Sequence, residues 1–123
     1  MNIIYISLTG QTRKFVHKLN DVKATEIKKN QYFEINEPYI VIVPTYDYQI
    51  TCIIDEFIDF KNNRHYLKGV CGSGNLNFNE LFCFSAKELA EKYHVPLIHL
   101  FEFSGNENDV RTIENEVNKI GKT

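Results

Sequence analysis

The sequence has no long apolar run. None of its hydrophobic stretches approaches the roughly 20 residues needed to cross a bilayer, and Thr9, Gly10 and Gln11 interrupt the only early one. Neither a membrane partner nor a signal peptide is expected. Cysteine is scarce: Cys52, Cys71 and Cys83 form no C-x-x-C and leave an odd residue over, the pattern of a reduced, cytoplasmic chain. Excess positive charge is missing too. With 14 Lys and Arg against 16 Asp and Glu, a net charge of -2 excludes nucleic acid as the main partner, because phosphate-backbone binding relies on clustered cations. His17, His65, His94 and His99 lack metal-ligand spacing and read as structural or surface residues. Repeats, linkers and low-complexity segments are absent.

The chain has 123 residues, 43% of them hydrophobic and 24% charged, which suits one packed domain over 1–123 and leaves no room for a second catalytic domain. Charge is uneven along it. Residues 1–31 carry Arg13, Lys14, Lys18, Lys23, Lys28 and Lys29 against Asp21 and Glu26, either a solvated helix face or a docking surface for an acidic protein.

Apolar runs at Ile3–Ile6, Tyr39–Val43, Leu67–Cys71 and Leu97–Phe103 read as strands covered on both faces. A weaker strand falls at Ala24–Ile27 or at Tyr32–Ile35. Helical spacing links Phe15, Val16 and Leu19, then Ile53, Ile54, Phe57 and Ile58, then Leu81, Phe82, Leu89 and Ala90. The last helix is clearest, with Val110, Ile113, Val117 and Ile120 on one face and Gly121 as its stop. Strand followed by helix, repeated, predicts a doubly wound α/β sheet with parallel strands.

In such a sheet ligands sit beyond the carboxyl ends of the strands, and three loops leave strands in that direction. The first, "SLTGQT" at 7–12, enters a helix near Gln11, where backbone N–H groups and the hydroxyls of Ser7, Thr9 and Thr12 suit a phosphate. A helix cap is the plainer reading of the same residues. The stretch contains no Lys, no G-x-x-x-x-G-K-[ST] and no G-x-G-x-x-G, which disfavours nucleoside triphosphates and dinucleotides and leaves a terminal monophosphate. The second loop, "PTYDYQIT" at 44–51, carries Tyr46 and Tyr48, which either stack on a flat ring or sit half-buried. The third, "GVCGSGNLNFNELF" at 69–82, has three glycines within six residues, and Asn75, Asn77 and Phe78 follow. A planar ring with a phosphorylated tail fits all three, and flavin mononucleotide (FMN) is the natural candidate. Cys71, beside the third loop, reads as buried packing. Asp55, Glu56 and Asp59 read as a solvated helix face.

Ser7, Thr9, Gly10 and Thr12, spaced S-x-T-G-x-T after the first strand, resemble the phosphate loop of flavodoxins. A narrower resemblance rests on "GVCGSGNLNFNELF" at 69–82, "YHVPLIHLFEFSG" at 93–105, Asn108-Asp109-Val110 and "EPYIVIVPTY" at 37–46. Together these resemble the NrdI family, flavodoxin-like proteins that accompany class Ib ribonucleotide reductases, over nearly the whole chain. The resemblance implies a flavodoxin-like, doubly wound parallel five-stranded sheet with helices on both faces. It also implies noncovalent FMN whose reduced form reacts with O2 to deliver superoxide to the reductase small subunit, NrdF. A tyrosyl radical results there, an unidentified donor supplies the electrons, and the flavin carries the chemistry without a catalytic side chain. By motif position Ser7, Leu8, Thr9, Gly10, Gln11 and Thr12 would hold the phosphate. Thr45, Tyr46, Asp47 and Tyr48 would border the ring, and Gly72, Ser73, Gly74, Asn75 and Phe78 would close its other side. The chain departs from the family pattern at "TYDYQIT", which lacks the usual glycine.

Two rival functions remain for comparison. A general electron-transfer flavodoxin would stabilise the one-electron-reduced flavin, whereas the candidate loops here hold only Asp47 and Glu80 to penalise full reduction. One unit charge about 4 Å away at an effective dielectric near 20 is worth roughly 4 kcal/mol, so fewer acids ease that reduction. A receiver-like signalling module would need clustered acids where Ser7-Leu8-Thr9 stands.

Overall fold

The computed structural model describes residues 2–7, 10–20, 22–44, 48–74, 84–102 and 104–121; of 48–51, 84 and 121 the backbone alone is described. Five strands, β1 (Asn2–Tyr5), β2 (Lys23–Glu26), β3 (Tyr39–Pro44), β4 (Leu67–Gly74) and β5 (Leu97–Glu102), form one parallel sheet in the order β2-β1-β3-β4-β5. Around it run α1 (Gln11–Val16), α2 (Tyr48–Ile58), the short α3 (Asn63–Tyr66), α4 (Phe84–Tyr93) and α5 (Glu107–Gly121).

The continuous apolar runs are continuous because both faces of the sheet are covered. Along β3, Tyr39, Val41 and Val43 enter one core with Ile54, Phe57 and Ile58 of α2 and Leu89 of α4. Ile40 and Ile42 enter the opposite core with Phe15 and Val16 of α1 and Val110, Ile113 and Val117 of α5. The period-two alternation of a strand thus distributes one sequence run between two helical layers. Helices on both faces and a five-stranded parallel sheet are as expected.

Between the two candidate positions for the weak strand, the structure selects the first. Lys23–Glu26 pairs with β1 in the register Asn2↔Lys23 to Tyr5↔Glu26. Residues 32–35 pair with no strand of the sheet. Asn63, wholly buried, holds them through its side-chain amide. Its Oδ1 accepts the Ile35 N–H at 2.8 Å, and its Nδ2 donates to the Phe33 and Phe57 carbonyls, both at 2.9 Å.

Asp55, Glu56 and Asp59 are more than a solvated face. The Tyr93 hydroxyl donates to Asp55 at 2.8 Å and to Asp59 at 3.3 Å, and Lys92 reaches Asp55 at 3.2 Å, so the acids of α2 fasten it to α4. Tyr32 donates to Glu56 from the 32–35 segment. Burial first, and then these carboxylates, push the Tyr93 phenol up from its ordinary value.

A reciprocal cap opens α5. The Asp109 N–H donates to Asn106 Oδ1 at 2.9 Å, while the Asn106 N–H donates to Asp109 Oδ2 at 2.8 Å. The other carboxylate oxygen of Asp109 lies 2.7 Å from His99 Nε2, which ties β5 to the start of α5. His99 therefore has a structural partner, in keeping with its expected role.

Candidate functional site

Because all five strands run the same way, their carboxyl ends share one edge of the sheet. Strand order reverses between β1 and β3, each of which neighbours the other while their onward connections lead to opposite sides. That is the position where open α/β sheets accept ligands. The loops after β1, β3 and β4 leave from there.

The β1–α1 turn is built on Gly10. Its φ of 88° lies in the left-handed region, and a Cβ placed on it would meet nothing within 4 Å, so the space over this turn is open. Ser7 Oγ accepts the Gly10 N–H at 3.1 Å and the Arg13 N–H at 3.4 Å. Ser7 thus fills the helix-cap role, and its O–H proton is used by neither bond. Lys14 N–H continues the helix to the Gly10 carbonyl at 3.0 Å. By helix geometry the Gln11 and Thr12 N–H groups have no acceptor within the helix and face the open turn. Thr12 is buried, 1% exposed. The donor set is neutral, since residues 7–12 carry no cation. An open turn at the start of a helix, with backbone N–H groups lacking helix acceptors and the Ser7 hydroxyl beside it, fits a phosphate monoester. Leu8 and Thr9 lie outside the described residues.

The loop after β3 is shorter than the sequence suggested. β3 continues through Pro44, paired with Ser73 of β4, and α2 already begins at Tyr48. No glycine or proline occurs between Thr45 and Lys68, so nothing in the chain breaks a helix there. Tyr48 is therefore a first-turn helix residue, not a loop residue. Thr45, Tyr46 and Asp47 lie outside the described residues.

The third loop also begins later. Gly72, Ser73 and Gly74 are strand residues, paired with Val43 and Pro44 of β3 and with Leu100, Phe101 and Glu102 of β5. Ser73 is 4% exposed. Glycine in a central strand tolerates close neighbours, as at Gly69, where a Cβ would stand 2.3 Å from Ile98 Cδ1. Asn75 and Phe78, like Leu81 and Phe82, lie outside the described residues. The structure thus brings Ser7, Gly10, Gln11, Thr12, Gly72, Ser73 and Gly74 to one edge of the sheet.

Two acids at this edge escaped the sequence reading. Glu102 ends β5 in register with Gly74, and Glu26 ends β2 in register with Tyr5. Their signal was the last position of a strand, which was legible only once strand ends were known. Glu26 takes the Arg13 guanidinium in a two-pronged ion pair, Nε to Oε1 at 2.9 Å and a terminal nitrogen to Oε2 at 3.0 Å. Tyr5 lies against both, and burial first, with the Glu26 carboxylate next, pushes its phenol up. Lys18 donates to the Ser104 and Gly105 carbonyls at 3.0 and 3.3 Å. Two of the six basic residues near the amino terminus therefore bind within the chain.

Cys71 is fully buried in β4, and burial pushes its thiol up to about 12. Such a thiol packs and does not react. Among the described residues no cluster of three or more His, Cys, Asp or Glu is arranged for a metal, and no helix is long and apolar enough to cross a membrane.

The same fold recurs in solved structures. Oxidised flavodoxin 2 from Bacillus cereus superposes with a TM-score of 0.62 at 19% identity, covering 98% of this chain and 97% of that one. A short-chain flavodoxin associated with a non-canonical PDU bacterial microcompartment superposes with a TM-score of 0.59 at 18% identity, covering 98% and 95%. Sheet order, switch-point turn and these likenesses define a flavodoxin-like α/β protein. A family model described as NrdI flavodoxin like matches residues 3–115. Protein NrdI of Wigglesworthia glossinidia brevipalpis is 35% identical over 127 residues, covering 98% of this chain and 90% of that protein. Protein NrdI of Erwinia tasmaniensis is 32% identical, covering 90% and 86%, and a putative NrdI-like protein of Streptococcus pneumoniae is 31% identical, covering 92% and 89%. The chain belongs to the NrdI flavodoxin-like family.

Proposed function

We propose that this protein is an FMN-binding redox accessory protein, working in the cytoplasm, that helps assemble or maintain the metal and tyrosyl-radical cofactor of NrdF, the class Ib ribonucleotide reductase small subunit. What carries the reading is family membership across residues 3–115; the open, glycine-turned loop at the switch point of the sheet supports it. When bound, FMN would supply the electron that turns O2 into superoxide.

The chain's own residues bind and orient. Ser7, Leu8, Thr9, Gly10, Gln11 and Thr12 hold the phosphate over the amino end of α1. Thr45, Tyr46, Asp47 and Tyr48 border one side of the ring, and Gly72, Ser73, Gly74, Asn75 and Phe78 the other. The pairing of β3 with β4 through Pro44 and Ser73, and of β4 with β5 through Gly74, supports this assignment, since both strands end on the same edge as the phosphate turn. No side chain needs to move a proton, so the protein acts by positioning the ring and setting its access to solvent and to the partner.

Reconstitution tests the reading. The reduced, FMN-loaded protein is mixed with manganese-loaded NrdF and O2, and the tyrosyl radical is counted by electron paramagnetic resonance. Radical formation that free FMN cannot replace supports it. Absence of both radical and complex, with flavin bound, would instead support a general electron-transfer flavodoxin.

A further inference from the structure

We propose that Glu26 is a positioning residue that draws the Arg13 guanidinium away from the Ser7–Thr12 turn, so that the turn meets a phosphate with neutral donors alone. The inference rests on reading that turn as the FMN phosphate site.

The geometry begins with strand register. Tyr5 stands opposite Glu26, and the Ile27 N–H donates to the Tyr5 carbonyl at 2.9 Å, so Glu26 occupies the carboxyl edge two residues before Ser7 on the neighbouring strand. Arg13 is the third residue of α1, and its own N–H already contacts Ser7 Oγ. Side chains on a helix lean toward its amino end. A free arginine at this position would therefore reach back over the turn, where a phosphate dianion is its natural partner. Glu26 takes Nε and one terminal nitrogen of the guanidinium instead, with both carboxylate oxygens engaged and Tyr5 against the pair.

The acid is the anchored member of the pair. The Glu26 side chain is 17% exposed and that of Arg13 49%. An exposed ion pair is ordinarily weak, but the two-pronged geometry is the case in which it holds. Lys14, the next residue, projects about 100° further round the helix, and Lys18 is bound to the Ser104 and Gly105 carbonyls. Arg13 is thus the cation best placed to charge the site, and the pair with Glu26 has no net charge. Phosphate recognition then depends on hydrogen bonds, with weak dependence on salt.

Flavin fluorescence quenching tests this with FMN and riboflavin, on the wild type, Glu26→Gln, Arg13→Gln and the double variant, after circular dichroism and melting confirm folding. Glu26→Gln should tighten FMN binding about three- to fivefold at low salt, the size of one partly screened charge interaction. That gain should vanish at roughly 0.5 M salt, and riboflavin should bind Glu26→Gln and wild type alike. The double variant should match the wild type within about twofold, since neither the pair nor its replacement carries net charge, whereas Arg13→Gln, which leaves the Glu26 carboxylate unpaired, should bind FMN no more tightly than the wild type. Equal tightening of Glu26→Gln toward both flavins, no change in it toward FMN, or loss of FMN affinity in the double variant would overturn the assignment while leaving the FMN reading intact. A wild type that quenches neither flavin would overturn the FMN reading, and the assignment with it. The Arg13 Nε–H resonance supplies a readout without flavin: it should be protected in the wild type and lose protection in Glu26→Gln, and an unprotected wild-type signal contradicts the pair.

Discussion

The side-chain oxygen of Asn63 accepts the backbone N–H of Ile35 at 2.8 Å, inside the protein, where neither group meets water. With its two N–H bonds to Phe33 and Phe57, this amide does for the 32–35 segment what a neighbouring strand would otherwise do. Asn63→Ala leaves the buried Ile35 N–H without its acceptor, while the Phe57 carbonyl keeps the Phe60 N–H and the Phe33 carbonyl is only part-buried; a buried unsatisfied group costs about 1–3 kcal/mol. The expected loss is about 2 kcal/mol in urea unfolding. Asn63→Asp should not rescue it, since a carboxylate accepts from Ile35 but cannot donate to the two carbonyls. A loss under about 1 kcal/mol would contradict the role given to Asn63.

Two glycines with positive φ should respond differently to alanine. At Gly105 (φ 71°) a Cβ would stand 2.5 Å from Phe15 Cδ1 and 3.3 Å from the Phe101 ring, which stacks on Phe15 with centroids 4.0 Å apart. Strain and overlap add, and Gly105→Ala should cost about 2–4 kcal/mol. Gly10 (φ 88°) has open space above it, so Gly10→Ala should cost only about 1–2 kcal/mol from backbone strain. FMN affinity should fall more in Gly10→Ala, whose methyl enters the phosphate turn. Denaturation midpoints and quenching titrations on both variants check the crossed order.

Alkaline pH should weaken the fold through Cys71. Its thiol is pushed from an ordinary value near 9 up to about 12, chiefly by burial. Above pH 9 the unfolded chain releases a proton that the folded chain keeps, so stability is full below about 9 and declines as pH rises toward 12. Between pH 8 and 10.5 the wild type should lose more stability than Cys71→Ala, read as the difference between their urea-unfolding slopes against pH. Cys71 should also resist thiol reagents until the protein unfolds. Parallel slopes would contradict the burial argument.

Four strands and their parallel arrangement were legible because runs such as Tyr39–Val43 are apolar on both faces, and a doubly covered parallel sheet buries both. The last helix was legible from the spacing of Val110, Ile113 and Val117, although its reciprocal Asn106–Asp109 cap was not read. The ends of β3 and β4 were misjudged because glycine and proline read as loop residues, while Pro44 of β3 and Gly72–Gly74 of β4 are paired at a sheet edge that needs no bulky side chains. The early start of α2 was hidden by the polar, aromatic look of Tyr48 and Gln49. Tyr32–Ile35 looked like a strand because Tyr32, Phe33 and Ile35 are aromatic or β-branched, and the Asn63 contact that replaces pairing spans about thirty residues. Within the candidate site the Gly10 turn was readable from residue types alone. Glu26 and Glu102 were not, since their importance depends on the register of strands distant in sequence.

The most direct test of the account is an anaerobic dithionite titration of the purified protein supplied with FMN, followed by its visible spectrum. Stoichiometric binding of one FMN, with little to moderate one-electron-reduced flavin on the way to full reduction, is the predicted result. Failure to bind FMN, or nearly complete accumulation of the one-electron form, would contradict an oxidant-supplying partner of the reductase.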